Sequence, residues 1–225
     1  AEGAYQHAVA YALERRQGTA IGARKPGTSA IVEHADVRRM LMTMKAQVDA
    51  MRALCYINGQ ALDLALHHED GEQRAWYSQL AELLTPLSKA WCTDLGCEVA
   101  SLGMQIHGGM GFVEETGAAQ YFRDARIAPI YEGTNGIQAL DLVMRKLTIS
   151  GGEVVRRFLA EMRDLDNELT EGGEAFAATR ANFAAALDSL EEASTWLLKV
   201  MADDPNSAAA GATPYLRMFG LTVGG

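Results

Sequence analysis

Apolar residues recur every three to four positions along nearly the whole chain, and nowhere do they alternate with polar ones over the length of a strand. From Val37 the series Met40, Leu41, Met44, Val48, Met51, Leu54, Ile57, Leu62 and Leu66 carries this helical period as far as His68. It predicts a single helix of about nine turns, roughly 50 Å long. Upstream, residues 4–16 are alanine-rich and made of good helix formers. Gly18 and Gly22 end that helix, and Pro26-Gly27 marks a surface loop over residues 22–30. After the turn His67-His68-Glu69-Asp70-Gly71, a third helical pattern runs to about Ile106, with Pro86 inside it as a kink or a break.

Residues 114–126 then read as a short helix and residues 135–150 as a longer one. Asn135 followed by Gln138 resembles a capping box and sets the start of the latter. Gly151-Gly152 punctuates the chain, and amphipathic patterns follow over residues 153–169, 174–201 and from 208 onward. The expected fold is all-α: an up-and-down helical bundle over residues 1–150 and an additional helical extension over residues 151–225. Helical spacing already present near Ala4 and the break at Gly224-Gly225 read as cuts through larger elements, so the chain is expected to be a fragment.

Composition narrows the possible functions. With 48% hydrophobic and 22% charged residues the chain is of ordinary globular type. A formal net charge of -9 excludes a surface built for nucleic acid or anionic membrane. The basic pairs Arg15-Arg16 and Arg24-Lys25 leave room for a small phosphorylated ligand. Cys55, Cys92 and Cys97 have no framework spacing, and read as reduced, buried structural thiols of a cytoplasmic or organellar-matrix protein. No metal-ligand set and no Ser-His-Asp constellation is evident.

The chemistry concentrates between Gln105 and Gln138. The cluster His107-Gly108-Gly109-Met110-Gly111 follows a helix rather than a strand, so it is no dinucleotide fingerprint. It reads either as a helix C-cap or as backbone that a flat or phosphorylated ligand can approach. Glu132, between Ile130-Tyr131 and Gly133, is the catalytic candidate: either a solvated loop residue or a desolvated carboxylate suited to proton abstraction. Thr134 is placed to cap a helix and to meet a cofactor. Arg123-Asp124 reads as a structural ion pair or loop clamp, and His107 as a core or dipole-facing histidine.

Together these residues resemble the C-terminal helical domain of acyl-CoA dehydrogenases. The resemblance rests on Arg123-Asp124-Ala125-Arg126-Ile127 leading to Ile130-Tyr131-Glu132-Gly133-Thr134-Asn135-Gly136-Ile137-Gln138. Gln105-Ile106-His107-Gly108-Gly109-Met110-Gly111-Phe112 and Tyr11-Ala12-Leu13-Glu14-Arg15-Arg16-Gln17 match at the expected separations. The longer loop after Gly22, Gly136 and the helices beyond Gly151 resemble a subgroup with a C-terminal extension, which includes 3-(methylthio)propionyl-CoA dehydrogenases. Two positions depart from the family pattern: Gln17 is followed directly by Gly18, and Gly136 stands where glutamate or glutamine is common.

The resemblance implies an FAD flavoenzyme with an N-terminal helical domain, a central β-domain and this bundle, acting on an acyl-CoA thioester. It implies that Glu132 takes the pro-R α-proton while the flavin receives the β-hydride. Arg15 and Gln17 would meet the FAD of a neighbouring subunit, and Gln105, Gly108 and Gly109 would follow its adenosine and pyrophosphate. Thr134 would touch the cofactor of its own subunit, and Tyr131 and Gly133 would line the thioester pocket. A homo-oligomer and an electron-transfer flavoprotein as electron acceptor are implied with them. The alternatives are a helical interaction module of the same fold without the chemistry, and an acyl-CoA oxidase.

Overall fold

The structure, a computed structural model, describes residues 1–23 and 27–225. The basic pair Arg24-Lys25 and Pro26 lie outside the described residues. Among those described, the chain is helical with no strand, and a lone antiparallel bridge joins Arg16 to Ala30. The residues fall into two compact units, one of Ala1–Arg52 with Cys92–Glu132, the other of Ala53–Trp91 with Gly133–Gly225.

In the first unit, helix α1 (Glu2–Glu14) packs its Ala4, Ala8 and Ala12 face, all buried, against α4 (Cys92–His107). The approach is close because Gly103 faces α1: a Cβ there would lie 3.5 Å from the Ala4 carbonyl oxygen. Met44 and Val48, on the first part of α2 (Ala35–His67), are buried in the same unit. The α4 chain turns through a four-residue helix, α5 (Gly109–Phe112), into α6 (Ala118–Arg126). The sequence pattern places that last helix four residues earlier. Gly117, at φ +74, starts it instead, because the left-handed backbone cannot be carried inside a helix.

The second unit is built around a π-turn. Helix α3 (Gly71–Pro86) begins at Asp70, whose carboxylate accepts from the Glu72 and Gln73 amides, and it ends at Pro86. Pro86 neither breaks nor simply kinks the path; the helix widens to a π-turn over Leu87–Trp91 and continues as α4. Proline removes one amide donor and crowds the preceding carbonyl, and an i→i+5 turn accommodates both. Helix α7 (Asn135–Asp141) likewise passes into a second π-turn, Leu142–Lys146. The extension follows as α8 (Glu153–Glu171), α9 (Ala177–Asp203), α10 (Pro205–Ala210) and α11 (Ala212–Gly224).

The extension has no core apart from the rest of this unit. Leu83, Leu84 and Leu87 are as completely buried as Leu187, Leu190, Leu197 and Phe219. Phe219 sits between Phe158 at 6.3 Å and Tyr215 at 5.8 Å. Tyr215 shares a 2.8 Å hydrogen bond with Ser194, and burial pushes its phenol well above the usual range. Arg157 of α8 stacks 3.7 Å over the Trp76 ring of α3. The cysteines depart from the sequence reading: all three are free, Cys55 is exposed, and Cys92 and Cys97 are only half-buried. Their helical positions lie beside the apolar stripe rather than within it.

Gly220 is the most closely packed of the described glycines in the second unit, because a Cβ there would lie 2.3 Å from Cγ of the buried Trp91. Gly220→Ala is therefore expected to destabilise this unit by about 1–3 kcal/mol through overpacking. Urea denaturation of the two proteins checks this, and an unchanged midpoint would refute the contact.

Candidate functional site

The glycine segment is ordered from below by a buried histidine. His107, 3% exposed, ends α4, and its Nδ1 lies 2.7 Å from the Gly103 carbonyl oxygen. A carbonyl only accepts, so Nδ1 carries the proton and Nε2 is the unprotonated nitrogen. Nε2 is buried and has no hydrogen-bond partner among the described residues, and the same is true of Nδ1 of His7. The ring stacks on Tyr11 at 4.2 Å and tilts against His7 at 4.6 Å, so α1 covers it. The sequence reading of a core histidine holds, although only one of its two nitrogens is satisfied.

Beyond His107 the chain turns outward. Gly108 has φ +61, and its amide bonds the Gln105 carbonyl at 3.0 Å. A Cβ at Gly108 or Gly109 would meet nothing within 4 Å, so the backbone there faces open space, while Gly111 packs directly on Met104. Gly108, left-handed at the end of α4, meets the C-cap reading, and its backbone and that of Gly109 are also open. Gln105 is exposed in the last turn of α4, and Phe112 is 82% exposed.

Arg15 and Gln17 lie one turn beyond Tyr11, so the Tyr11–His107 stack joins the first two motifs in one unit. Arg15 leaves α1 in extended conformation and its guanidinium donates to Gln17 Oε1 at 3.3 Å; both residues are exposed. Their backbone is held by the returning chain, with Gln17 N to Ser29 O at 2.9 Å and Ile31 N to Arg15 O at 2.8 Å. The His34 ring meets the Gln17 carbonyl at 2.8 Å. Arg123 and Asp124 do not pair with each other. Arg123 reaches Glu114 at 3.5 Å and Gln120 at 3.1 Å, and Asp124 accepts from Gln120.

The third motif carries two consecutive left-handed residues, Glu132 at φ 55 and Gly133 at φ 74. For a glutamate that conformation is uncommon and costs energy, and such outliers gather where function over-determines the backbone. Of the two sequence readings of Glu132, the solvated loop residue is the one met in this chain, and the desolvated carboxylate is not: the residue is exposed. The reason is local, since Ile130 and Tyr131 are themselves about half exposed and lend it no cover.

The predicted capping box also shifts. Thr134, not Asn135, is the N-cap of α7; its carbonyl accepts from Ile137 and Gln138, and its hydroxyl makes no capping bond. The Asn135 side chain is engaged elsewhere, accepting from Lys89 Nζ at 2.8 Å and donating to the Ala90 carbonyl at 3.0 Å. Sequence reasoning passed over Lys89. The available signal was a lone cation in the apolar run Leu87 to Trp91, just after Pro86.

An all-helical chain with an open glycine turn, and an exposed carboxylate on a left-handed loop before a helix, defines a recognisable class. A family model described as acyl-CoA dehydrogenase, C-terminal domain, matches residues 1–147, and one described as acetyl-CoA dehydrogenase C-terminal like matches residues 154–225. The chain belongs to the acyl-CoA dehydrogenase family. It is 48% identical over 227 residues to the 3-methylmercaptopropionyl-CoA dehydrogenase of Ruegeria pomeroyi, covering 98% of this chain and 37% of that protein. The chain thus spans little more than a third of this relative's length. Among solved structures, ACDH-11 of Caenorhabditis elegans in complex with C11-CoA superposes with a TM-score of 0.70 at 19% identity, over 98% of this chain and 36% of that one. An acyl-CoA dehydrogenase of Bacillus anthracis complexed with FAD gives 0.66 at 20% identity, over 99% and 38%.

Burial holds the His107 imidazole below its ordinary value of 6.5; nearby His7 adds to the effect, and the bond to Gly103 opposes it. The unfolded chain therefore takes up this proton at higher pH than the folded one. The stability tied to a neutral His107 is full above about 6.5 and is lost as the pH falls through the lowered folded value. His107→Gln is expected to lessen the acid-side loss of stability relative to wild type. Denaturation midpoints between pH 7.5 and 5 check this; parallel curves for the two proteins would refute it.

Proposed function

We propose that this chain is the C-terminal part of an FAD-dependent acyl-CoA dehydrogenase in which Glu132 removes the α-proton of an acyl-CoA thioester. The observation that carries the reading is Glu132 itself: a carboxylate on a left-handed turn within a chain of this family. Its carboxylate would take the α-proton and its backbone N–H would help polarise the thioester carbonyl. Tyr131 and Gly133 would flank the thioester. Bound FAD would supply the acceptor for the hydride leaving the β-carbon, so that one proton, to Glu132, and one hydride carrying two electrons leave the substrate as the double bond forms.

The residues present fit such a cofactor. The open backbone at Gly108 and Gly109 suits a pyrophosphate or a flat ring, with Gln105, Arg15 and Gln17 as polar contacts nearby in sequence. In the assembled homo-oligomer, these residues would serve the FAD of a neighbouring subunit, and the Thr134 hydroxyl that of its own. Electrons would pass on to an electron-transfer flavoprotein. The 48% identical relative is named for 3-methylmercaptopropionyl-CoA, which makes that short thioether acyl-CoA the first substrate to test.

In the full-length enzyme, Glu132→Gln is expected to keep FAD and acyl-CoA binding while slowing flavin bleaching by substrate about 10²–10⁴-fold. Glu132→Asp should retain part of the activity, because the carboxylate is kept and only displaced. Wild-type bleaching rates in both variants would sink the assignment. The 225-residue chain alone is expected to bind FAD weakly and to turn over no substrate, since the flavin ring would be held by a β-domain that this chain does not contain. A tight, stoichiometric yellow complex of the chain by itself would contradict that.

A further inference from the structure

We propose that Lys89 is a positioning residue that holds the loop carrying Glu132; the proposal rests on the reading of Glu132 as the base. Lys89 lies in the π-turn Leu87–Trp91, where Leu87, Ala90 and Trp91 are buried. From there its ammonium group reaches the start of α7, donating to the Gly133 carbonyl at 3.1 Å and to Asn135 Oδ1 at 2.8 Å. Asn135 Nδ2 completes the link by donating to the Ala90 carbonyl at 3.0 Å. The orientation of the Asn135 amide is settled by its partners, because an ammonium only donates and a backbone carbonyl only accepts.

Two features separate this from incidental packing. A cation at a helix N-terminus opposes the helix dipole, so Lys89 is poorly placed by electrostatics with α7 alone. Its position is explained by the acceptors it finds there. The second feature is the backbone it reaches. The Gly133 carbonyl follows directly on two left-handed residues, and a glutamate keeps φ 55 only where its surroundings impose it. Tying the Gly133 carbonyl and the Asn135 side chain to one ammonium group fixes the backbone directly after Glu132, and with it the direction in which that carboxylate is aimed. A π-turn supplies the reach, since its extra residue per turn redirects side chains relative to a regular helix.

The test uses the full-length, flavin-loaded enzyme. Lys89→Met is expected to slow flavin bleaching by substrate about 10–100-fold, the cost of a misplacement on the order of 1 Å, with acyl-CoA affinity and melting midpoint held. Amide exchange in peptides covering residues 131–136 should quicken, and Lys89→Arg, which retains a donor, should recover part of both. Asn135→Ala cuts the same link from the loop side and is expected to repeat the defect, which keeps the test open should Lys89→Met fold poorly. Unchanged bleaching in these variants while Glu132→Gln abolishes it would overturn the role of Lys89 and leave the base in place. Bleaching that survives Glu132→Gln would overturn the base, and the positioning role with it. A lowered melting midpoint, with exchange at residues 131–136 unaltered, would make Lys89 merely structural.

Discussion

The π-turn at Leu87–Trp91 is the constraint on which the second unit depends. Four residues there meet three other elements. Ser88 accepts from the buried Asn58 of α2 at 3.0 Å, Lys89 and the Ala90 carbonyl bind the start of α7, and Trp91 lies against Gly220 of α11. Pro86 disfavours a regular helix by removing a donor, and the surrounding elements make use of the irregular turn that follows it. The extension, through Gly220 on Trp91, thereby packs on the same π-turn that binds the start of α7.

The first unit is held by a different means. Its helices approach closely through Ala4, Ala8, Ala12 and Gly103, and the gap they leave near the end of α4 is filled by the Tyr11, His107 and His7 rings. This ring cluster is apolar enough to disfavour the protonated imidazole, yet it leaves two ring nitrogens without partners among the described residues. It keeps Arg15 and Gln17 in register with Gly108 and Gly109, although the two motifs are about ninety residues apart in sequence. Neither motif could offer a defined surface alone, because each consists of exposed side chains or open backbone.

The exposure of Glu132 bears on how a proton-abstracting carboxylate would be tuned. In this chain the loop geometry is set, with left-handed backbone and a fixed helix start, while its flanking Ile130 and Tyr131 stand about half exposed. Pre-organisation of the backbone and desolvation of the carboxylate are separable contributions. The chain provides the first, and the proposed assembly with FAD and acyl-CoA would provide the second by covering the loop.

Helical period alone was enough to place nearly every element, because 3.6-residue spacing records which face is buried whatever it is buried against. The long helix over residues 35–67 and the punctuation at Gly151-Gly152 were both legible in this way. The ordered motifs made the family legible as well. What the one-dimensional pattern could not carry were features that depend on partners distant in the chain. Pro86 announced an irregularity, but only its neighbours made it a π-turn rather than a break. Asn135 read as a local cap, yet Lys89 and the Ala90 carbonyl, some 45 residues away, claim its side chain. The same holds for the His107 stack and for the exposure of Glu132. Periodicity reports burial averaged over a face, whereas a single hydrogen bond or a single uncovered carboxylate is decided by which residues fold back to meet it.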